Sequence, residues 1–173
     1  TNRTLRAELA KFYQWMGLAL GASVVSSLGN VKGSLEYQRK SLAILEKLVA
    51  EDPASLNYRQ LLGAVYPYIA QLLSDSGNQV EALDNYRKAL AIHQVLAKES
   101  PTNVYLQREL AVNYSNVCGL LTLVGDNVAA VENCRQAVAI FESMAAADPK
   151  DANMRRDVAI IHRKLAEPLG KTN

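Results

Sequence analysis

The chain has 173 residues, 49% apolar, 21% charged and 6% aromatic. That suffices for one globular domain or one repeat array with a sizeable core, and it is too apolar for disorder and too charged for an integral membrane protein. Nineteen Lys and Arg against 17 Asp and Glu leave a net charge of +2, which excludes a nucleic-acid or membrane-surface footprint.

The chain opens Thr1-Asn2-Arg3. Without an initiator Met it reads as an excised piece of a longer protein or a processed product. It lacks the charged start, apolar run and cleavage site of a signal peptide. Between Lys11 and Lys32 run twenty uncharged residues, and Gly17 and Gly21 form a GxxxG. That approaches the length of a membrane span. Gln14, Ser23, Ser26, Ser27 and Asn30 interrupt it, however, and the repeat register assigns it to a packed helix. A cytoplasmic protein is therefore expected, with no membrane and no nucleic acid among its partners.

A fixed period organises the chain. Gly29, Gly77 and Gly125 are 48 apart, each followed by Asn or Asp, and so are Pro53, Pro101 and Pro149. Between these marks the segments align without gaps, with Arg39/Arg87/Arg135, Ala43/Ala91/Ala139 and Ile44/Ile92/Ile140 as shared columns. Each period reads as two helices. The Gly stops the first and turns the chain. The residue before Pro is pushed out of the helical region and ends the second. The next helix begins near Ser55, Thr102 or Asp151 as a cap. The predicted helix pairs cover about 4–51, 54–99 and 102–147, and a capping helix covers about 150–169. Together they make a single array over 1–173.

The inner stripe of the first helices reads Leu62, Tyr66, Ile69, Leu73 and then Leu110, Tyr114, Val117, Leu121. In the last helix it reads Val158, His162, Leu165, Leu169. The first copy is irregular. Residues 5–13 (LRAELAKFY) resemble 106–114 (LQRELAVNY), yet Glu8 to Gly29 is five residues longer than Glu109 to Gly125. The surplus falls near Gly21–Val25, as a kink, a π-bulge or a short loop. Pro67 interrupts a helix interior and predicts a kink, with Gly63 four residues earlier easing the clash.

The pattern Ala82-x3-Tyr86 with Pro101 resembles the tetratricopeptide repeat, whose second helix carries Ala-x3-aromatic and which closes on Pro. Ala130-x3-Cys134 and Pro149 match less well. Ser34-x3-Gln38 and Pro53 keep only the small residue and the Pro. The usual Trp and Leu-Gly of the first helix are not clearly present. The family period is about 34. The excess, seven residues per helix, is close to two turns and leaves the buried face pointing inward. The resemblance implies an all-α fold, a right-handed α-solenoid of antiparallel helix pairs with about seven helices. It is similar to repeat regions of multidomain bacterial proteins that follow Ser/Thr kinase domains.

Catalytic chemistry has no foothold. No phosphate loop, HExxH or other metal-ligand spacing occurs, so no enzyme activity, cofactor or metal is expected. His93 and His162 read as packed core histidines. Cys118 and Cys134 lie eight residues either side of Asp126 and could face one another across a hairpin. Both fill small-residue core columns and read as buried free thiols.

In tetratricopeptide repeats the first helices line a concave surface. The positions off the core stripe that would serve as peptide-binding residues are Gln60, Tyr68, Gln71, Arg108, Ser115, Asn116, Arg156, Arg163 and Lys164. Arg gives bidentate contacts to carboxylate or phosphate. Asn and Gln satisfy peptide backbone, and Tyr gives contact area at low entropic cost. The expected partner is a protein or peptide, with acidic character as one fit. The same cations also read as a solvated helix face. The leading expectation is a non-catalytic interaction scaffold within a larger bacterial protein. A ligand-sensing regulatory module and a self-assembling homo-oligomer stand as alternatives.

Overall fold

The computed structural model describes residues 2–21 and 30–172. Among these residues all regular structure is helical: α1 (Asn2–Gly21), α2 (Val31–Glu51), α3 (Leu56–Asp75), α4 (Gln79–Glu99), α5 (Val104–Val124), α6 (Asn127–Ala147) and α7 (Ala152–Lys171). The seven helices are packed as successive antiparallel pairs, a helical-repeat fold of the α-solenoid class. The irregular stretch near Gly21–Val25 lies, beyond Gly21, outside the described residues. Among the described residues no helix is long and apolar enough to cross a membrane.

The 48-residue punctuation has a direct backbone cause. Gly77 and Gly125 adopt φ of 82° and 86°, the left-handed conformation that costs a residue without Cβ least. Each carries the six-to-one bond of a Schellman motif, Asn78 N to Leu73 O at 2.9 Å and Asp126 N to Leu121 O at 3.0 Å. The residue after each Gly then opens the following helix. The Asn78 side chain accepts from Glu81 N, and that of Asp126 accepts from Ala129 N.

The first helices begin at one repeat column. Ser55 accepts from Tyr58 N, Asn103 from Leu106 N, and Asp151 from Asn153 N and Met154 N. Thr102, the expected cap, is one residue early. Asn103 holds the position 48 after Ser55, and its carboxamide oxygen reaches Leu106 N at 3.2 Å.

The chain divides into two compact units, residues 1–92 and 93–173, so that α4 contributes to both. In the first, Leu45 and Leu48 of α2 share a core with Leu62, Val65 and Tyr66 of α3 and Ala7 and Ala10 of α1. The α1/α2 approach is close enough to need glycine. A Cβ on Gly17 would lie 2.7 Å from Gln38 Nε2 and 3.1 Å from Ser34 O. Ser34 Oγ donates to Gly17 O at 2.7 Å, and Gln38 Nε2 donates to Gln14 O at 3.2 Å. Gly17 thus serves a helix hairpin. The helix α3 runs unbroken through Pro67.

In the second unit a disulfide joins Cys118 of α5 to Cys134 of α6, with Cα atoms 5.3 Å apart. The free-thiol expectation is corrected by the hairpin geometry. Equal offsets from the turn bring two fully buried small columns face to face. His93 is buried and bonds Asn113 across 3.1 Å, as a packed histidine should. His162 is not packed. It is exposed and meets Glu142 at 2.8 Å. The reason is that α7 packs on α6 and α5 through Asp157, Ile161 and Pro168, an arc one position off the expected stripe. No eighth helix among the described residues covers its other side, so Val158, Leu165 and Leu169 stay half-buried there.

Candidate functional site

The nine expected groove residues lie on first helices. Gln60, Tyr68 and Gln71 belong to α3 in the first unit. Arg108, Ser115 and Asn116 of α5 and Arg156, Arg163 and Lys164 of α7 belong to the second.

On α3 the three are unequal. Gln60 is half-buried and Tyr68 is exposed. Gln71 is exposed but already committed. Its Nε2 donates to Asp75 Oδ1 at 2.7 Å, and its Oε1 accepts from the Tyr86 hydroxyl at 3.2 Å. Burial holds that hydroxyl up at about 12, so it remains a donor at any physiological pH.

On α5 and α7 the residues form a seam. Arg108 Nη2 and Nε both donate to Asp157 Oδ2, at 2.8 and 3.1 Å. Asp157 is buried and Arg108 is about one-third exposed. Lys164 Nζ donates to the buried Ser115 Oγ at 3.0 Å. Burial, reinforced by the neighbouring Arg163 charge, lowers the Lys164 pKa. Glu109 sits under the same seam, its carboxyl pushed up by burial against the opposing pull of Arg108.

These bonds sort the candidates. Ser115 and Lys164 tie α5 to α7. Arg108 does the same, with part of its guanidinium still at the surface. Arg156 and Arg163 are exposed and carry no ion pair among the described residues. Asn116 is half-buried beside them in sequence register. Arg156 and Arg163 of α7 are thus exposed cations, each next in sequence to a residue, Asp157 or Lys164, that binds α5.

Sequence reasoning did not single out a second concavity in this unit. It has a volume of about 660 Å³ and lies between the α5 N-terminus, the α6 C-terminus and the start of α7. Val104, Ile140, Met144 and Met154 give it an apolar wall, and Asp148 and Asp151 stand on its rim. Both acids already accept backbone N–H groups, from Lys150 and from Asn153 and Met154. The only sequence signal for it is the Pro and Asp of the interhelix turns, which are also ordinary helix punctuation. Among the described residues no group of three or more His, Cys, Asp and Glu could hold a metal ion.

No protein-family model and no curated protein matches the chain. Among solved structures it is similar to the yeast histone chaperone Hif1, described as a scaffold protein recruiting protein complexes to core histones. The likeness has a TM-score of 0.58 and 21% identity over 76% of this chain. The match spans 55% of the Hif1 chain. A de novo designed helical repeat protein, DHR64, matches 98% of this chain and 94% of its own, at a TM-score of 0.38 and 12% identity. The Hif1 likeness shows a shared helical-repeat fold.

Proposed function

We propose that this chain is a non-catalytic interaction scaffold of the tetratricopeptide kind, taking an acidic peptide or protein segment on its first-helix face at α5 and α7. One observation carries the reading. Arg156 and Arg163 are exposed without ion pairs among the described residues, each next in sequence to a residue, Asp157 or Lys164, that binds Arg108 or Ser115 of α5. A partner carboxylate there meets cations at no cost of breaking an existing pair. Arg108 is preorganised by Asp157, so it loses little side-chain entropy on contact. Hif1, a scaffold protein recruiting protein complexes to core histones, has a role of the same broad kind.

The context we infer from the repeat resemblance is a region of a larger bacterial signalling protein, of the sort found after kinase domains. The Cys118–Cys134 disulfide favours an oxidising compartment. That argues against the cytoplasmic location expected from the sequence.

Selection of a displayed random-peptide library on the chain tests it. Enriched peptides should be rich in Asp and Glu. Their affinity should fall at least tenfold for Arg156→Glu/Arg163→Glu, about 1.4 kcal/mol, and fall further with salt. Both substitutions are on exposed residues, so the fold is retained. Peptides without acidic bias, or binding unchanged by the double substitution, would overturn the reading.

A further inference from the structure

Each unit contains one junction of the same kind, where the start of a first helix, the end of its partner and the start of the next first helix come together. In the first unit these are α1, α2 and α3, and in the second α5, α6 and α7. Matching residues 5–13 to 106–114, and applying the 48-residue period, sets Arg3 and Arg6 at the columns of Val104 and Gln107. The same register sets Lys47 and Glu51 at the columns of Ser143 and Ala147, and Ile44 and Tyr58 at those of Ile140 and Met154.

The first junction is filled from within. Arg6 Nη1 donates to Glu51 Oε1 at 2.8 Å, and Arg3 Nε donates to Glu51 Oε2 at 3.1 Å. The second junction lacks both ends of that pair. Gln107 Nε2 donates instead to Ala97 O and Pro101 O, each at 3.2 Å, and Ala147 carries no carboxylate. What remains is the concavity of about 660 Å³ walled by Val104, Ile140, Met144 and Met154. Its opening is a property of the junction and not of the last helix. Ala43, Lys47 and Glu51 of α2, and Ala91, Val95 and Glu99 of α4, share the columns of Ala139, Ser143 and Ala147. All six are exposed, although further helices follow both in the chain.

We propose that this concavity receives an arginine side chain of a partner peptide, with an apolar residue beside it. The first junction shows the occupant in this protein's own chemistry, a guanidinium on a carboxylate over an apolar floor. In the second the floor is kept and the guanidinium is missing. The carboxylates are Asp148 and Asp151 on the rim. In each, Oδ1 accepts backbone N–H groups, which leaves Oδ2 for an incoming donor. Lys150 lies between them in sequence and pairs with neither. Arginine suits both parts, because its stem lies along apolar surface while its planar head meets carboxylate. The methionine walls adapt to the apolar neighbour. The volume lies within the roughly 300–1,000 Å³ of ligand sites. The ligand is opposite in charge to the segment proposed for Arg156 and Arg163, so the two sites are tested apart.

The test uses the full chain and a fluorescein-labelled peptide, Gly-Leu-Arg-Leu-Gly, beside the same peptide with citrulline for arginine, which keeps the shape and removes the charge. Two variants accompany the native chain. Gln107→Arg/Ala147→Glu restores the pair of the first junction and fills the concavity from within. Asp148→Asn/Asp151→Asn removes the rim charge and keeps a capping residue at the start of α7. Saturable binding of the arginine peptide, at least tenfold weaker for the citrulline peptide and for each variant, supports the proposal. Equal binding of the two peptides, binding unchanged in either variant, or no saturable binding of the arginine peptide overturns it.

Discussion

Residues 5–13 and 106–114 carry nearly the same nine-residue pattern in opposite surroundings. In α5 the first leucine, Leu106, is fully buried, and in α1 its counterpart Leu5 is mostly exposed. Glu109 is pushed towards its protonated form by burial, while Glu8 is exposed and pairs with Lys11 at 2.8 Å. Local sequence sets which residues form a stripe. The neighbouring helix sets whether that stripe is core. In a repeat array this separates what a segment can bury from what it does bury.

The sharpest test of that contrast is a pair of identical truncations. Leu106→Ala should cost about 2–5 kcal/mol, as for a fully buried leucine. Leu5→Ala should stay within about 0.5 kcal/mol. Urea unfolding of both variants measures this, and equal losses would mean that α1 is covered.

A second contrast sets the α5/α6 hairpin against α1/α2. The first is closed by a disulfide and the second by polar contacts around Gly17. Replacing Cys118 and Cys134 by Ala should lower stability by about 3 kcal/mol, the loop-closure value for a bridge of this span. The loss should appear in amide exchange of α5–α7 before it appears in α1–α3. In the other hairpin, Gly17→Ala gains up to about 1 kcal/mol of helix propensity. It also pushes Gln38 and Ser34 of α2 away from α1, an overpacking cost of about 1–3 kcal/mol. A net loss of about 1 kcal/mol is expected by the same measurement.

The smallest effect concerns pH. Hydrogen bonding from Arg6, joined by Arg3, holds the Glu51 carboxyl down at about 2. Because its folded-state value lies below the ordinary one, its stabilising contribution is present above about pH 4.5 and is lost as pH falls towards 2. Carboxyl titration by NMR should find Glu51 near 2, and Arg6→Ala should move it back up.

Much of the fold was legible because backbone punctuation repeats. Gly77 and Gly125 need the left-handed conformation, and Ser55, Asn103 and Asp151 need to cap, so both recur every 48 residues. Thr102 and Asn103 are both capping residue types, and only the 48-residue register, which selects Asn103, separates them. The disulfide was legible as geometry but not as chemistry, since a buried thiol and a half-cystine occupy the same small column. The packed reading of His162 fails because column alignment assumes equal neighbours: Tyr66 has the following helix α4 beside it, with Lys88 Nζ 5.9 Å from its ring centre, and among the described residues no helix follows α7. For the candidate site, the sequence marked first-helix cations without distinguishing structural from free ones. Arg108 and Lys164 lock α5 to α7 through Asp157 and Ser115, a pairing 49 residues distant that no local pattern encodes.

Amide hydrogen exchange of the chain with and without a selected acidic peptide tests the scaffold reading most directly. The account predicts slower exchange concentrated in α5 and α7, with the strongest protection around Arg156–Lys164, and its loss in Arg156→Glu/Arg163→Glu. Protection confined to other helices, with α7 unchanged, would contradict it.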